Sequence, residues 1–358
     1  MNRIHFLCKK SLLRIWLLLL LELTFSSCQG QKENESKPVE SLQVGAERMD
    51  QYLPLLKGKT VAILANHSSL VEGTHLVDTL LSLNVSVVKV FAPEHGFRGD
   101  KSDGAFIDDS KDETTGLPIV SIYGKNKYMP VTLLEDVDVL IFDIQDVGVR
   151  FFTYISAMHY AMQACAESDT QFMVLDRPNP NGMYVDGPIL DSALQSYVGM
   201  HPIPVVHGST VGELAKMING ERWLKNGPCK LIVVPSANYT HLSAYSLPVK
   251  PSPNLPNNLA VKLYPSIALF EGTEISVGRG TYQPFLQIGH PSFTDLPHSF
   301  TPVSIEGMSK YPPLEGKECY GYNLDSLQFK PHFTLSYLLN FYQRFPNGQP
   351  FFKEYFHK

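Results

Sequence analysis

Cysteine is scarce in this sequence, with five in 358 residues. Cys165, Cys229 and Cys319 lie far apart and lack the paired spacing of a zinc site or of a disulfide-rich domain. We therefore expect neither a structural zinc ion nor a disulfide framework. A chain of this length buries a large core without such cross-links. Its 44% hydrophobic and 18% charged residues are typical of an ordinary globular protein.

Basic blocks and several well-known motifs are also missing. Without residues 1–27 the chain keeps 26 Lys and Arg against 34 Asp and Glu, so nucleic acid is not an expected partner. The sequence has no G-x-S-x-G nucleophile elbow. It also has no G-x-x-x-x-G-K-[ST] phosphate loop and no G-x-G-x-x-G turn after the first predicted strand. We therefore expect no nucleotide and no other cofactor.

The first 27 residues resemble a bacterial lipoprotein signal peptide. Basic residues precede an apolar run from Ile15 to Leu21, which is short for a membrane-spanning helix. Small residues then precede Cys28, which in such signals is lipidated and becomes the first residue of the mature chain; a plain signal peptide or a membrane anchor is the alternative. Residues 28–44 are polar and predict a tether. We expect a periplasmic or cell-surface protein, attached to the membrane through a lipid at Cys28.

Continuously apolar segments alternate with helical patterns in the next part of the chain. Strands are predicted at 60–66, 85–92, 117–124, 137–144 and 171–176, and helices at 73–83 and 153–168. This alternation is typical of a parallel sheet with helices on both faces. We predict an α/β fold with a Rossmann-like, mostly parallel sheet over residues 45–250. Residues 251–358 are rich in aromatics and predict a smaller α+β domain.

Polar clusters follow the predicted strands, where parallel sheets bind their ligands. These clusters are NHSS (66–69), PEHGFRGD (93–100), DIQDVGVR (143–150) and DRPNPNG (176–182). Turn formation accounts for their Asn, Asp, Gly and Pro residues but requires no Glu, His or Arg. The candidate site residues at this rim are Asn66, Glu94, His95, Arg98, Asp143, Gln145, Asp146, Arg150, Tyr154, Asp176 and Arg177, to which the later part of the chain adds Glu271 and Arg279.

Two chemistries fit such a rim. Paired carboxylates cleave glycosidic bonds, one as proton donor and the other as base or nucleophile. The alternative is a metal-dependent hydrolase, in which a divalent metal is held by side chains such as His67, Glu94, His95, Asp143, Asp146 and His207. No two histidines have ligand spacing on a helix, and nearby arginines would oppose a cation, so we expect no metal.

Seven segments resemble, in chain order, the signature segments of the bacterial exo-β-N-acetylmuramidases. They are PEHGFRGD, TGLPIVSIYG, VDVLIFDIQDVGVRFFTYI, VLDRPNPNG, HGSTVGELA, PSPNLP and LFEGTEISVGRGT. The resemblance implies a Rossmann-like domain, a smaller C-terminal domain and an active site between them. It implies removal of terminal β-linked N-acetylmuramic acid from the non-reducing end of peptidoglycan fragments. Relatives are expected to continue a few dozen residues past FPNGQPFFKEYFHK, which leaves open a truncated C-terminal domain.

This resemblance suggests roles for the candidate residues. Glu94 is the expected general acid, with Asp143 or Asp146 as the second carboxylate or its support. His95 is also an expected catalytic residue, which orients Glu94 or shares its proton. The residues expected to shape the sugar pocket are His95, Gln145, Tyr154 and Glu271. The lactyl carboxylate of the substrate suits an arginine fork, for which Arg98, Arg150 and Arg279 are candidates. The competing hypothesis is a non-catalytic lipoprotein that binds cell-wall sugars in the same pocket.

Overall fold

A sheet of seven strands forms the centre of the molecule. The structure, a computed structural model, describes residues 41–98, 110–123, 128–326 and 330–354. Cys28 and most of the predicted tether lie outside these residues. In chain order the strands of this sheet are β1 (Thr60–Ala65), β4 (Ser86–Ala92), β5 (Ser110–Lys111), β6 (Pro118–Ser121), β7 (Val139–Asp143), β8 (Gln171–Leu175) and β9 (Lys230–Val234), and the hairpin β2 (Leu70–Val71) and β3 (Thr74–His75) follows β1.

The strands are arranged in the order β5-β6-β4-β1-β7-β8-β9. All neighbours pair in parallel except β5, which is antiparallel to β6 at the edge. From β1 the chain first adds β4 and β6 on one side and then β7, β8 and β9 on the other. This is the doubly wound order of Rossmann-like folds, and the change of direction lies between β1 and β7.

Both faces of the sheet are buried, which explains why its strands are apolar throughout. Ala62 and Leu64 of β1 belong to one hydrophobic cluster, whereas Ile63 belongs to a second cluster on the opposite face. Successive side chains of a strand point to opposite faces, so an uninterrupted apolar strand fills both clusters. The predicted fold class of the sheet is confirmed.

Helices cover the two faces. The helices are α1 (Met49–Leu56), α2 (Leu76–Ser82), α3 (Tyr154–Ser168), α4 (Val211–Gly220), α5 (Asn258–Ile267) and α6 (Ser336–Arg344), with short 3-10 turns at Gly45–Glu47, Val131–Leu134, Ser192–Leu194 and Ala268–Gly272. Apolar residues of α3 join the first cluster and those of α2 join the second. Helix α2 begins later than predicted, because Thr74 and His75 pair with the preceding strand.

The C-terminal part is a separate, smaller α+β arrangement, as predicted. Its three strands are β10 (Gln287–His290), β11 (His298–Phe300) and β12 (Cys319–Asn323), which form an antiparallel sheet in the order β10-β12-β11. Phe270, Phe293 and Phe341 pack edge-to-face beside it. Their hydrophobic cluster is continuous with the first face of the parallel sheet, so the two parts share one core.

Residues from Leu42 onward form one compact unit. Within the described part of the chain, no helix combines the length and the apolar character that crossing a bilayer requires.

Candidate active site

A cleft of about 790 Å³ lies between the carboxyl end of the parallel sheet and the C-terminal part. Its walls combine aromatic and aliphatic side chains with polar groups, as in many sites for small molecules. The charged and polar side chains of its lining are Glu94, His95, Tyr123, Thr153, Tyr154, Ser252, Asn254, Tyr264, Glu271, Arg279, Ser309, Lys310, Tyr311 and Lys353.

Glu94 follows β4 and is held by two hydroxyl groups. The Tyr123 hydroxyl donates to its Oε1 at 2.9 Å, and the Thr153 hydroxyl donates to its Oε2 at 3.0 Å. Tyr123 comes after β6 and Thr153 lies directly before α3, so the connections after β4, β6 and β7 meet at this carboxylate. These donors, which bind both oxygens, define the plane of the carboxyl group.

A row of tyrosines supports this wall of the cleft. The ring of Tyr197 lies 6.5 Å from that of Tyr123 and stacks on Tyr160, whose ring packs against Tyr128. Burial raises the pKa of the Tyr197 hydroxyl, and the negative charge of Glu94 raises it further. Tyr197 thus remains neutral beside the carboxyl group.

His95 has a backbone conformation that is rare for a residue with a side chain. Its φ is +69°, and Gly96 follows with φ +78°. Non-glycine residues in this region are strained and are found mainly where their surroundings hold them in place. The His95 ring is 5% exposed and its Nε2 lies 3.2 Å from the Ser252 hydroxyl. Ser252 belongs to the PSPNLP segment, which therefore forms part of the cleft wall.

The opposite wall carries a carboxylate that is paired with an arginine, and a lysine that binds the backbone of the same residue. The Arg279 Nε atom lies 2.6 Å from Oε1 of Glu271, and the Lys353 ammonium donates to the Glu271 carbonyl at 3.0 Å. The Arg279 guanidinium also lies over the ring of Phe285. Two cations and one carboxylate leave this wall with a net positive charge.

Tyr154 lines the cleft from the first turn of α3. Its hydroxyl donates to the carbonyl of Pro251 at 3.5 Å, and its ring packs edge-to-face on Phe152 at 4.9 Å. The structure therefore brings together five of the candidate residues, namely Glu94, His95, Tyr154, Glu271 and Arg279.

Asp143 and Arg177 do not line the cleft but form a buried ion pair. The Arg177 Nε and Nη2 atoms lie 2.6 and 2.9 Å from the two Asp143 oxygens, and Nη2 also donates to the carbonyl of Leu70 at 2.9 Å. The two residues are 0% and 3% exposed. Burial lowers the pKa of Arg177, but the charge and hydrogen bonds of Asp143, together with Tyr245 and Glu47, outweigh this effect, and the pKa is raised. The geometry does not support a substrate contact for either residue.

Asn66, Gln145 and Asp146 shape loops rather than the cleft surface. The Gln145 amide donates to the carbonyls of Asp146 and Pro178, both at 2.8 Å. The Asp146 carboxylate accepts from the Gly148 backbone at 2.6 Å. The Asn66 side chain accepts from the backbone and hydroxyl of Ser68. All three are buried, so the geometry departs from the expected catalytic role of Asp146 and from the expected sugar contacts of Asn66 and Gln145.

Asp176 is used to begin helix α4. Its carboxylate accepts from the Thr210 hydroxyl at 2.7 Å and from the Gly212 backbone at 2.8 Å. Burial raises its pKa to about 6, although these hydrogen bonds partly oppose the effect. Its hydrogen bonds to the N-terminus of α4 account for the buried position of the Asp176 carboxylate, without a substrate contact.

Arg98 and Arg150 also lie away from the cleft. Arg98 pairs with Asp78 at 3.2 Å and with Asp112 at 2.9 Å. The Arg150 Nη1 atom donates to the carbonyls of Pro188 and Ile203 at 2.7 and 2.5 Å. Of the three arginines considered for the lactyl carboxylate, Arg279 alone lines the cleft.

Sequence reasoning did not assign the partners of Glu94. The sequence offered one signal for Thr153, a hydroxyl residue at the start of the helix predicted at 153–168. Tyr123 lay near the end of the strand predicted at 117–124. Lys353 and Tyr311 had none, because they reach the cleft only through the packing of the C-terminal part. Among the described side chains, no three His, Cys, Asp or Glu residues approach closely enough to hold a metal ion.

Both halves of the chain match models of one protein family. The model of the N-terminal part of the exo-β-N-acetylmuramidase NamZ matches residues 61–259, and the model of its C-terminal part matches residues 262–357. The chain is 37% identical over 320 residues to the peptidoglycan β-N-acetylmuramidase NamZ of Bacillus subtilis strain 168, a match that covers 84% of this chain and 77% of that protein.

Two crystal structures of DUF1343 family proteins from Bacteroides fragilis are similar in fold. One has a TM-score of 0.81 at 48% identity and covers 89% of this chain and 87% of its own. The other has a TM-score of 0.72 at 31% identity and covers 84% and 81%, respectively.

The buried ion pair gives a prediction about stability. We expect Asp143→Asn to lower the free energy of unfolding by roughly 3–5 kcal/mol, because it leaves the Arg177 charge buried without its partner. Asp143→Leu combined with Arg177→Met should recover most of this loss. Urea unfolding followed by circular dichroism measures both.

The control is Lys230→Met, which breaks an exposed ion pair with Asp169 and should cost about 1 kcal/mol or less. An Asp143→Asn protein as stable as the Lys230→Met protein would contradict the prediction.

Proposed function

The chain belongs to the exo-β-N-acetylmuramidase family, and from this membership we infer that it is a glycoside hydrolase that releases terminal β-linked N-acetylmuramic acid from peptidoglycan fragments. The observation that carries this conclusion is that both matched halves line one cleft. Glu94 comes from the first half, and Glu271 and Arg279 come from the second. A cleft of this volume, with an acid on one wall and cations on the other, suits a sugar with a carboxylate substituent.

We propose that Glu94 is the general acid. In glycoside hydrolysis the acid gives its proton to the glycosidic oxygen as the bond from that oxygen to C1 breaks. The hydrogen bonds from Tyr123 and Thr153 support this role, because they fix the direction of the carboxyl group toward the cleft. Tyr123 and Thr153 are therefore positioning residues.

Asp143 and Asp146 take supporting positions in this proposal. Asp143 is engaged by Arg177 on both oxygens, and Asp146 shapes the loop before α3. Among the described residues, Glu94 and Glu271 are the carboxylates that line the cleft. Because Glu271 pairs with Arg279, Glu94 is the better proton donor.

We propose that the lactyl carboxylate of the substrate binds at the Arg279 wall. Glu271 holds Arg279 through Nε, and Lys353 adds a second positive charge 3.0 Å from the Glu271 carbonyl. An arginine that is held in this way keeps a defined orientation, which favours a directed bond to a carboxylate. This contact would distinguish N-acetylmuramic acid from N-acetylglucosamine, which lacks the lactyl ether.

We further propose that a lipid at Cys28 holds the protein at a membrane, on the periplasmic or cell-surface side. The support is in the sequence, where a basic start, an apolar run and small residues precede Cys28, and a polar segment follows it.

Replacement of Glu94 tests the chemistry. Glu94→Gln should lower the rate of release from a chromogenic β-N-acetylmuramide by about 10²–10⁴-fold, because the amide cannot donate an acidic proton. Binding of N-acetylmuramic acid, measured by calorimetry, should be retained. The control is Glu274→Gln, which replaces a carboxylate outside the cleft lining.

Full activity of the Glu94→Gln protein would remove Glu94 from its role. A wild-type protein that binds the sugar but releases nothing would favour the competing hypothesis of a non-catalytic sugar-binding lipoprotein.

Arg279→Gln tests recognition of the lactyl group. The variant should bind N-acetylmuramic acid about 10- to 100-fold more weakly, since a hydrogen bond to a charged group is lost, while its affinity for N-acetylglucosamine changes little. Competitive inhibition constants for the two sugars measure this difference, and Arg344→Gln, which alters a surface ion pair, is the control. An equal loss for both sugars would mean that Arg279 acts only through the shape of the cleft.

Anchoring is tested by cell fractionation. Cys28→Ser should move the protein from the membrane fraction to the soluble fraction, whereas Cys8→Ser, ahead of the apolar run, should leave it at the membrane. A Cys28→Ser protein that remains in the membrane fraction would contradict lipid attachment at this residue.

A further inference from the structure

An exposed aromatic side chain lies at the edge of the cleft. Tyr311 lines the cleft and is nevertheless 81% exposed, whereas His95 in the same lining is 5% exposed. The difference places His95 in the depth of the cleft and Tyr311 at its mouth. Exposing a large aromatic ring to water gives up the favourable burial of its apolar faces, which a bound ligand can restore.

The segment that carries Tyr311 is held from both sides. Ile305 and Ser309 pair with each other, and the Asn254 amide donates to the Met308 carbonyl at 3.2 Å. After Tyr311, the side chain of Pro312 packs so closely on Gly280 that a Cβ atom there would lie 2.6 Å from it. The ring is therefore presented by a fixed segment rather than by a loose loop.

A cation accompanies the ring. The Lys310 ammonium lies 5.8 Å from the centroid of the Tyr311 ring, and Lys310 also lines the cleft. Tyr282 is as exposed as Tyr311, at 80%, but it is not part of the cleft lining. The pair of Lys310 and Tyr311 thus combines an apolar platform with a positive charge at the mouth of the cleft.

We propose that Tyr311 and Lys310 form a subsite for the leaving side of the glycan. This inference rests on the proposed function, in which the terminal sugar occupies the depth of the cleft near Glu94. The rest of the glycan must then leave through the mouth. The apolar face of the released N-acetylglucosamine stacks on Tyr311, where dispersion and the exclusion of water stabilise it. The Lys310 ammonium meets the carboxylate of the next muramic acid.

The pair is thus specificity-determining, because it favours glycan fragments over single-sugar glycosides. The test compares a tetrasaccharide of alternating N-acetylmuramic acid and N-acetylglucosamine with a chromogenic β-N-acetylmuramide, which has no sugar on the leaving side. For Tyr311→Ala, the ratio of kcat/KM for the tetrasaccharide to that for the chromogenic substrate should fall about 3- to 10-fold.

Lys310→Met should lower the same ratio, and its effect should shrink at high salt because the charges are exposed. The effect should vanish for a tetrasaccharide whose internal lactyl carboxylate is converted to an amide. Tyr282→Ala and Lys317→Met, at exposed positions outside the cleft lining, are the matched controls.

An unchanged ratio in the Tyr311→Ala protein, whether both substrates keep their kcat/KM or lose it equally, would overturn the proposal. If the wild type releases N-acetylmuramic acid from the chromogenic substrate but the Tyr311→Ala protein has an unchanged ratio, the proposed function stands and only this subsite is contradicted. If the wild type released nothing from either substrate, the proposed function itself would be contradicted.

Discussion

The buried ion pair between Asp143 and Arg177 is the interaction on which the arrangement of the rim depends. Asp143 is the last residue of β7, and Arg177 follows the neighbouring strand β8. The same guanidinium binds the carbonyl of Leu70 in the hairpin after β1. One charged contact therefore joins three connections at the carboxyl end of the sheet. Neither charge can lose its partner without a large cost in the buried site, so the three connections are held together.

This ion pair also explains why the cleft is displaced from the usual position. Doubly wound folds bind ligands where the strand order reverses, which here is the space between β1 and β7. The chain itself fills that space, since the Ser69 hydroxyl donates to the Asp143 carbonyl and Asn66 is buried beside it. The open cleft instead lies next to the end of β4, where Glu94 faces the C-terminal part.

In the proposed function, one wall of the cleft performs the chemistry and the other recognises the substrate. The wall from the parallel sheet supplies a carboxylate with fixed orientation, supported by a row of tyrosines. The wall from the C-terminal part supplies Arg279 and Lys353 around Glu271. In the proposed function, the cationic wall orients the carboxylate of the sugar while Glu94 meets the scissile bond. The proposed subsite at the mouth, with its exposed aromatic and cationic groups, extends this pattern toward the rest of the glycan.

Apolar strands and their alternation with helices were enough to predict the parallel sheet, because burial on both faces leaves a direct trace in the sequence. The same reasoning placed Glu94 and Asp143 at one rim, since the carboxyl ends of parallel strands lie together. It did not separate their roles. Asp143 ends the apolar strand β7, and it meets the buried guanidinium of Arg177 from the next connection. Glu94 follows the apolar strand β4, but it meets two hydroxyl groups beside the cleft. Only the tertiary structure decided between them, because the partners that determine a carboxylate's environment come from distant parts of the chain.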